Sequence, residues 1–168
     1  MLTRTFAVAR SVVYATGFVL LWAWVVASVR PFDDRISLTF PEPVRSGGAI
    51  VAVAGGALTL ACIAAFALVG RGTPAPFDAP REFVAVGPYR WLRNPMYLGA
   101  AGVILGAGLI IGSPSAVAVS PFFIGVTHLF VVIYEEPTLE RRFGESYRRY
   151  KKSVNRWIPR IPKPELET

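Results

Sequence analysis

Four stretches of this chain are apolar enough to enter a lipid bilayer, and they leave few folds open. Ser11 to Val29 and Gly48 to Gly70 carry no charged residue. The same is true of Tyr97 to Gly112 and Ser115 to Tyr134. A helix crossing the hydrocarbon core needs about 20 apolar residues, and each window approaches that length. Together they take up nearly half of the 168 residues and raise the mean hydropathy to +0.45, with 53% apolar side chains. A soluble domain of this size has no interior that would hold them. We therefore expect a single membrane-embedded domain over 1–168. Its fold class is all-α, with four transmembrane helices at about 11–29, 48–70, 97–112 and 115–134. Only Gly112-Ser113-Pro114-Ser115 separates the last two windows, which predicts a tight helical hairpin rather than one long helix broken at Pro114.

Charge sets the expected orientation. Fifteen of the eighteen basic residues lie before the first window, between the second and third, or after the fourth. Only Arg30, Arg35 and Arg45 occupy the first loop. The positive-inside rule then puts both termini and the middle loop in the cytoplasm, with a bacterial inner membrane as the natural setting. The net charge of +7 sits beside the spans, where anionic headgroups are the available partners, and argues against nucleic acid. The first window is longer than a secretory signal's apolar core and lacks a good cleavage site, so it reads as a retained span. Cys62 stands alone within the second window, which excludes a disulfide framework and makes it a small packing residue. No metal-ligand cluster is evident, and no obligate protein partner is called for.

Small residues crowd the second and third windows, among them Gly55, Gly56, Gly99, Gly102, Gly106 and Gly108. Such faces let helix backbones approach within lipid, and the Gly102/Gly106 pair is expected to pack within the chain. The segment from Arg71 to Pro88 holds four prolines and two glycines, so it cannot form one helix and reads as a loop turning back on itself. After Pro137, Leu139, Phe143, Tyr147, Tyr150, Val154 and Trp157 recur at spacings of three and four among basic residues. That stripe predicts an amphipathic interfacial helix over about 138–157, lying on the cytoplasmic face or covering a site.

Chemistry-bearing residues gather at the ends of the last two windows. Gly87-Pro88-Tyr89 leads into Arg93-Asn94-Pro95-Met96-Tyr97. Glu135-Glu136, Leu139, Phe143-Gly144, Tyr147 and Tyr150 follow the fourth window. In that order and placement they resemble the isoprenylcysteine carboxyl methyltransferase family and its bacterial and phospholipid-methyltransferase relatives, over roughly Gly72 to Pro162. The resemblance implies S-adenosylmethionine as cofactor at the cytoplasmic ends of the last spans and a lipophilic small molecule or lipid as acceptor. Carried over by position, Arg81, Glu82, Phe83, Val84 and Tyr89 would line the cofactor. Asn94, Pro95, Met96 and Tyr97 would form a second wall, and Glu135 would reach it from the fourth span. Two departures stand out: Asn94 replaces the family's histidine, and Val131 stands where the eukaryotic enzymes carry a substrate-binding arginine. The first removes a titratable group and the second weakens the case for a prenylated cysteine.

The residues also speak for themselves. Tyrosine faces attract a sulfonium cation, a carboxylate binds ammonium or ribose hydroxyls, and Phe83, Val84 and Met96 suit adenine. Methyl transfer needs alignment and electrostatics more than a protein nucleophile. Adjacent carboxylates beside an apolar run are costly unless paired or near water. Glu136, Arg93 and His128 are the candidates for catalysis. Arg93 reads equally as an anchor of the helix end to phosphate groups or as a group that positions an anionic substrate or pairs Glu136. His128, two helical turns before Glu135, reads also as a hydrogen-bonded structural residue. Competing readings are a membrane reductase using NADPH and a non-catalytic binding module on the same fold.

Overall fold

The computed structural model of the protein describes residues 2–66, 68 and 84–160. Every regular element among them is helical. Helix α1 spans Leu2–Val29, and a 3₁₀ turn over Arg30–Arg35 follows. Helix α2 spans Glu42–Ala65, a short 3₁₀ turn covers Gly87–Arg90, and α3 spans Pro95–Ile110. Helix α4 covers Pro114–Phe130, runs through a π turn at Val131–Glu135, and continues as α5 from Glu136 to Ser153. Two of these helical runs, Glu42–Ala65 and Pro114–Ser153, contain stretches long and apolar enough to cross a membrane. Helix α3 is a shorter apolar helix of 16 residues.

Helix starts follow local chemistry. Glu42-Pro43, Pro95 and Pro114 open α2, α3 and α4, positions where a missing N–H costs nothing. Ser113 caps α4 by accepting the N–H of Ala116 at 3.1 Å. Gly112, at φ 69°, makes the turn that reverses the chain between α3 and α4, a backbone region open to glycine without strain. The expected hairpin is present.

Close backbone approach dominates the packing of α2 on α3. A Cβ at Gly106 would lie 2.5 Å from the Ala52 nitrogen and the Gly48 oxygen, and one at Gly55 would lie 2.5 Å from the Gly99 oxygen. Gly48 meeting Gly106 and Gly55 meeting Gly99 means that the two helices run antiparallel. Gly102 and Gly106 are therefore consumed inside the chain, as expected. Helix α1 packs on α3 and α4 through aromatic contacts: Trp22 and Phe123 meet edge to face at 4.7 Å between centroids. Around this interior the surface is apolar. Ile50, Val53, Leu60, Phe122 and Ile133 are all more than 60% exposed, which suits lipid rather than water.

The two ends of the bundle differ. At one end Asp33 accepts the N–H of Ser115 at 2.9 Å, and Arg45 donates to the Ile110 carbonyl at 3.2 Å, tying the first loop to the α3–α4 turn. At the other end lie the start of α3, the end of α4, α5 and the C-terminal segment.

Some expected bounds shift. The second span was expected to reach Gly70, but α2 is assigned to Ala65, and part of the remainder lies outside the described residues. The last helix was expected at 138–157. It starts at Glu136, continuous with α4, because Pro137 falls in its first turn, where proline is tolerated. It stops at Ser153, so Val154 and Trp157 leave the helical stripe. Val154 is extended, and the backbone of the segment pairs elsewhere: Leu92 and Asn155 form a parallel bridge, with Arg93 donating its N–H to the Asn155 carbonyl at 2.9 Å. Within α5, Gly144 takes φ 54° and bends the helix.

Candidate functional site

Three pieces of chain meet at the end away from Asp33. The segment Trp91–Tyr97 leads into α3, the α4–α5 junction carries Glu135 and Glu136, and residues 154–160 form a strap. Arg160 donates its N–H to the Trp91 carbonyl at 2.9 Å, Arg93 its N–H to Asn155, and Asn94 its side-chain amide to the Arg156 carbonyl at 3.4 Å. The strap thus runs along the segment that opens α3.

The two adjacent carboxylates take different partners. Tyr97 donates its hydroxyl to Oε2 of Glu135 at 2.9 Å. Glu136 is buried at 7% exposure and accepts from Arg93 at 2.8 Å and from Arg156 at 2.8 and 3.0 Å. Lys151 lies 3.9 Å away. Successive residues on a helix point about 100° apart, so neighbouring glutamates serve separate faces. A buried carboxylate with two guanidinium partners is satisfied, whereas a lone one would be strongly destabilising. The same bonds push the Arg156 guanidinium above its ordinary value, with the Glu136 hydrogen bond as the main cause. Arg93 has its Nε buried without an acceptor among the described residues, so this cation retains capacity for an anionic group.

Tyr89 is buried against Cys62, Ala65 and Val84, with Leu58, Phe66 and Met96 around them. Its ring meets Phe66 edge to face at 5.3 Å, and its carbonyl accepts from the Tyr150 hydroxyl at 2.6 Å. Burial holds the Tyr89 phenol far above its ordinary value, so it stays neutral. This apolar patch and the Tyr97–Glu135 pair both adjoin the start of α3, on either side of Asn94, Pro95 and Met96.

Of the residues singled out from sequence, Val84, Tyr89, Asn94, Pro95, Met96, Tyr97 and Glu135 thus gather around the opening of α3. Arg81, Glu82 and Phe83 lie outside the described residues. Arg93 and Glu136 pair with each other. His128 accepts from Trp157 Nε1 at 3.0 Å, a structural bond to the strap. The seven-residue spacing from His128 to Glu135 would put both on one face of an unbroken α-helix. The π turn between them widens the helix and breaks that phase, and they face different partners. Arg156 and Trp157 were missed as site neighbours. Trp157 falls on the helical stripe and Arg156 among the basic residues around it, and only the strap's backbone pairing brings them inward.

The geometry can be set against known proteins. Residues 44–146 match the phospholipid methyltransferase family, a region that includes α3, α4 and both segments carrying the site. An uncharacterized protein of Haemophilus influenzae is 40% identical over 63 residues, which is 38% of this chain and the whole of that protein. No solved structure matches. With its apolar helices and more than half of its length matched, this membrane protein belongs to the phospholipid methyltransferase family.

Proposed function

We propose that the chain transfers a methyl group from S-adenosylmethionine to a lipophilic acceptor at the cytoplasmic face of a bacterial inner membrane. In this reading α1 to α4 are four spans and α5 lies along the membrane surface. The Tyr97–Glu135 bond carries the proposal. It joins the two sequence motifs at the start of α3, near the apolar patch around Tyr89 and Met96.

The residues at that end suit the cofactor's parts. A carboxylate has about four lone-pair sites, and Tyr97 occupies one of those on Glu135, so acceptor capacity remains for an ammonium or ribose hydroxyl. Arg93 Nε offers an unsatisfied buried donor for a carboxylate or phosphate. Val84, Met96, Phe66 and Tyr89 provide apolar and aromatic walls, and Arg81, Glu82 and Phe83 are assigned to the same lining by the family pattern. When bound, S-adenosylmethionine supplies an electrophilic methyl on a sulfonium sulfur. The chain's part is to hold that sulfur near tyrosine faces, to exclude water and to leave the lipid side open. Asn94, committed to the strap carbonyl, holds the wall in place rather than moving a proton. Exposed apolar helix faces support entry of an acceptor from the bilayer. The concentration of basic residues at the site end supports cytoplasmic termini.

Calorimetry with S-adenosylhomocysteine on the folded protein in detergent tests the reading. Binding is expected for the wild type, at least about tenfold weaker for Glu135→Ala, and unchanged for Arg149→Ala. Absence of heat with the folded wild type removes the proposal, as does failure to pass a labelled methyl group to any component of a membrane lipid extract.

A further inference from the structure

Two rungs join the same pair of segments. Arg93 meets Glu136, and four residues along the chain Tyr97 meets Glu135. The outer rung carries a second cation, since Arg156 of the strap holds both oxygens of Glu136. Three separate stretches of chain therefore converge on one buried carboxylate, and one of them opens the helix that bears Tyr97.

We infer that Glu136 is a positioning residue, which clamps the strap and the start of α3 together so that Tyr97 stays opposed to Glu135. The inference rests on the proposed cofactor site for its consequence but not for its geometry. Asn94, Pro95 and Met96 are all that separate Arg93 from Tyr97, and Pro95 begins a rigid helix. Displacement of Arg93 is therefore passed directly to Tyr97. Without the Glu136 charge, Arg93 and Arg156 become two like charges, each partly buried, with no shared counter-ion. They repel each other and seek water, and the strap and the start of α3 part. Three other strap bonds, Arg93 N–H to Asn155, Arg160 N–H to Trp91 and the Asn94 amide to Arg156, run between the same two segments and loosen with them, while the Trp157–His128 bond keeps the strap on α4. Lys151, 3.9 Å from Glu136, is a third cation, and its 3.0 Å bond is to Glu140, so the loss of the Glu136 charge leaves the two guanidiniums beside a further like charge.

Two measurements on the full chain in detergent test this. The first is hydrogen exchange without any cofactor. In Glu136→Gln the Arg93 and Arg160 amides are expected to exchange about tenfold faster or more, while amides of α2 stay unchanged. Unaltered exchange at both sites overturns the inference. The second is a binding cycle with S-adenosylhomocysteine across wild type, Glu136→Gln, Tyr97→Phe and the double variant. Glu136→Gln is expected to weaken binding about tenfold in the wild type and about twofold or less beside Tyr97→Phe. Equal losses in both backgrounds overturn the inference, because Glu136 would then act without Tyr97. If Glu136→Gln does not fold, Arg156→Gln opens the clamp from the strap side, with the same expectations. Should the wild type bind nothing while exchange responds as stated, the clamp stands and the proposed activity falls.

Discussion

Trp157 donates its indole Nε1–H to Nδ1 of His128 at 3.0 Å. An indole nitrogen only donates, so His128 Nδ1 is the acceptor of this bond. The bond joins the strap to the last turn of α4, on a residue that the sequence offers both as a general base and as a hydrogen-bonded structural histidine.

Replacing either partner of this pair should cost stability rather than chemistry. Trp157→Phe and His128→Ala are each expected to lower the thermal midpoint in detergent, the bond itself contributing about 1 kcal/mol. The double variant should lose less than the two single losses together, since one bond is removed only once. Additive losses would show that the two residues act independently. A labelled-methyl assay that falls a thousandfold in His128→Ala, with S-adenosylhomocysteine binding intact, would restore the catalytic role.

The glycine seam between α2 and α3 sets a steric prediction. Gly106→Ala drives a methyl against the Ala52 nitrogen and the Gly48 oxygen, both backbone atoms that cannot move aside. Overpacking of this kind costs about 1–3 kcal/mol, so a marked fall in thermal midpoint is expected. Gly56→Ala is the control, because a Cβ there meets nothing within 4 Å. Its midpoint should stay level or rise. Equal responses from the two variants would mean that the helices are not in contact along this seam.

Asp33 provides a pH dependence at the far end of the bundle. The Ser113 hydroxyl, then the Ser115 N–H, hold its carboxyl below the ordinary 3.8. A group whose native value is depressed stabilises the fold fully above its unfolded value. That contribution disappears as pH falls through the lower native one. Unfolding followed from pH 6 downward should therefore show a loss of stability below about pH 4. Asp33→Asn should flatten this loss while lowering stability at neutral pH. A wild type and variant with parallel acid profiles would remove Asp33 as the cause.

The site was legible in part. Tyr97 and Glu135 could be named because each sits in a motif that resembles the methyltransferase family. For Glu135 the cost of a carboxylate beside an apolar window points the same way, whereas Tyr97 alone reads equally as an aromatic at the membrane interface. Which of the two glutamates faces Tyr97 could not be read. That depends on helical phase through the π turn at Val131–Glu135, a local widening that the apolar pattern does not mark. Arg156 and Trp157 were hidden for a similar reason: Trp157 continues the apolar stripe of α5 and Arg156 its basic face, although the helix stops at Ser153.

What the amino-acid order decided alone is the set of apolar helices, the reversal at Gly112 to Ser115, and the helix starts at proline. Each of these depends on neighbours within a few residues: unbroken hydrophobicity, a glycine free to take positive φ, and a ring that lacks an N–H. Only the tertiary structure decided that Asp33 accepts the Ser115 N–H in the first turn of α4, that Gly55 meets Gly99, and that the strap pairs with Leu92 and Arg93. Those contacts join positions tens of residues apart. They form because buried backbone and charged groups must find partners once the helices have packed, wherever in the chain those partners lie.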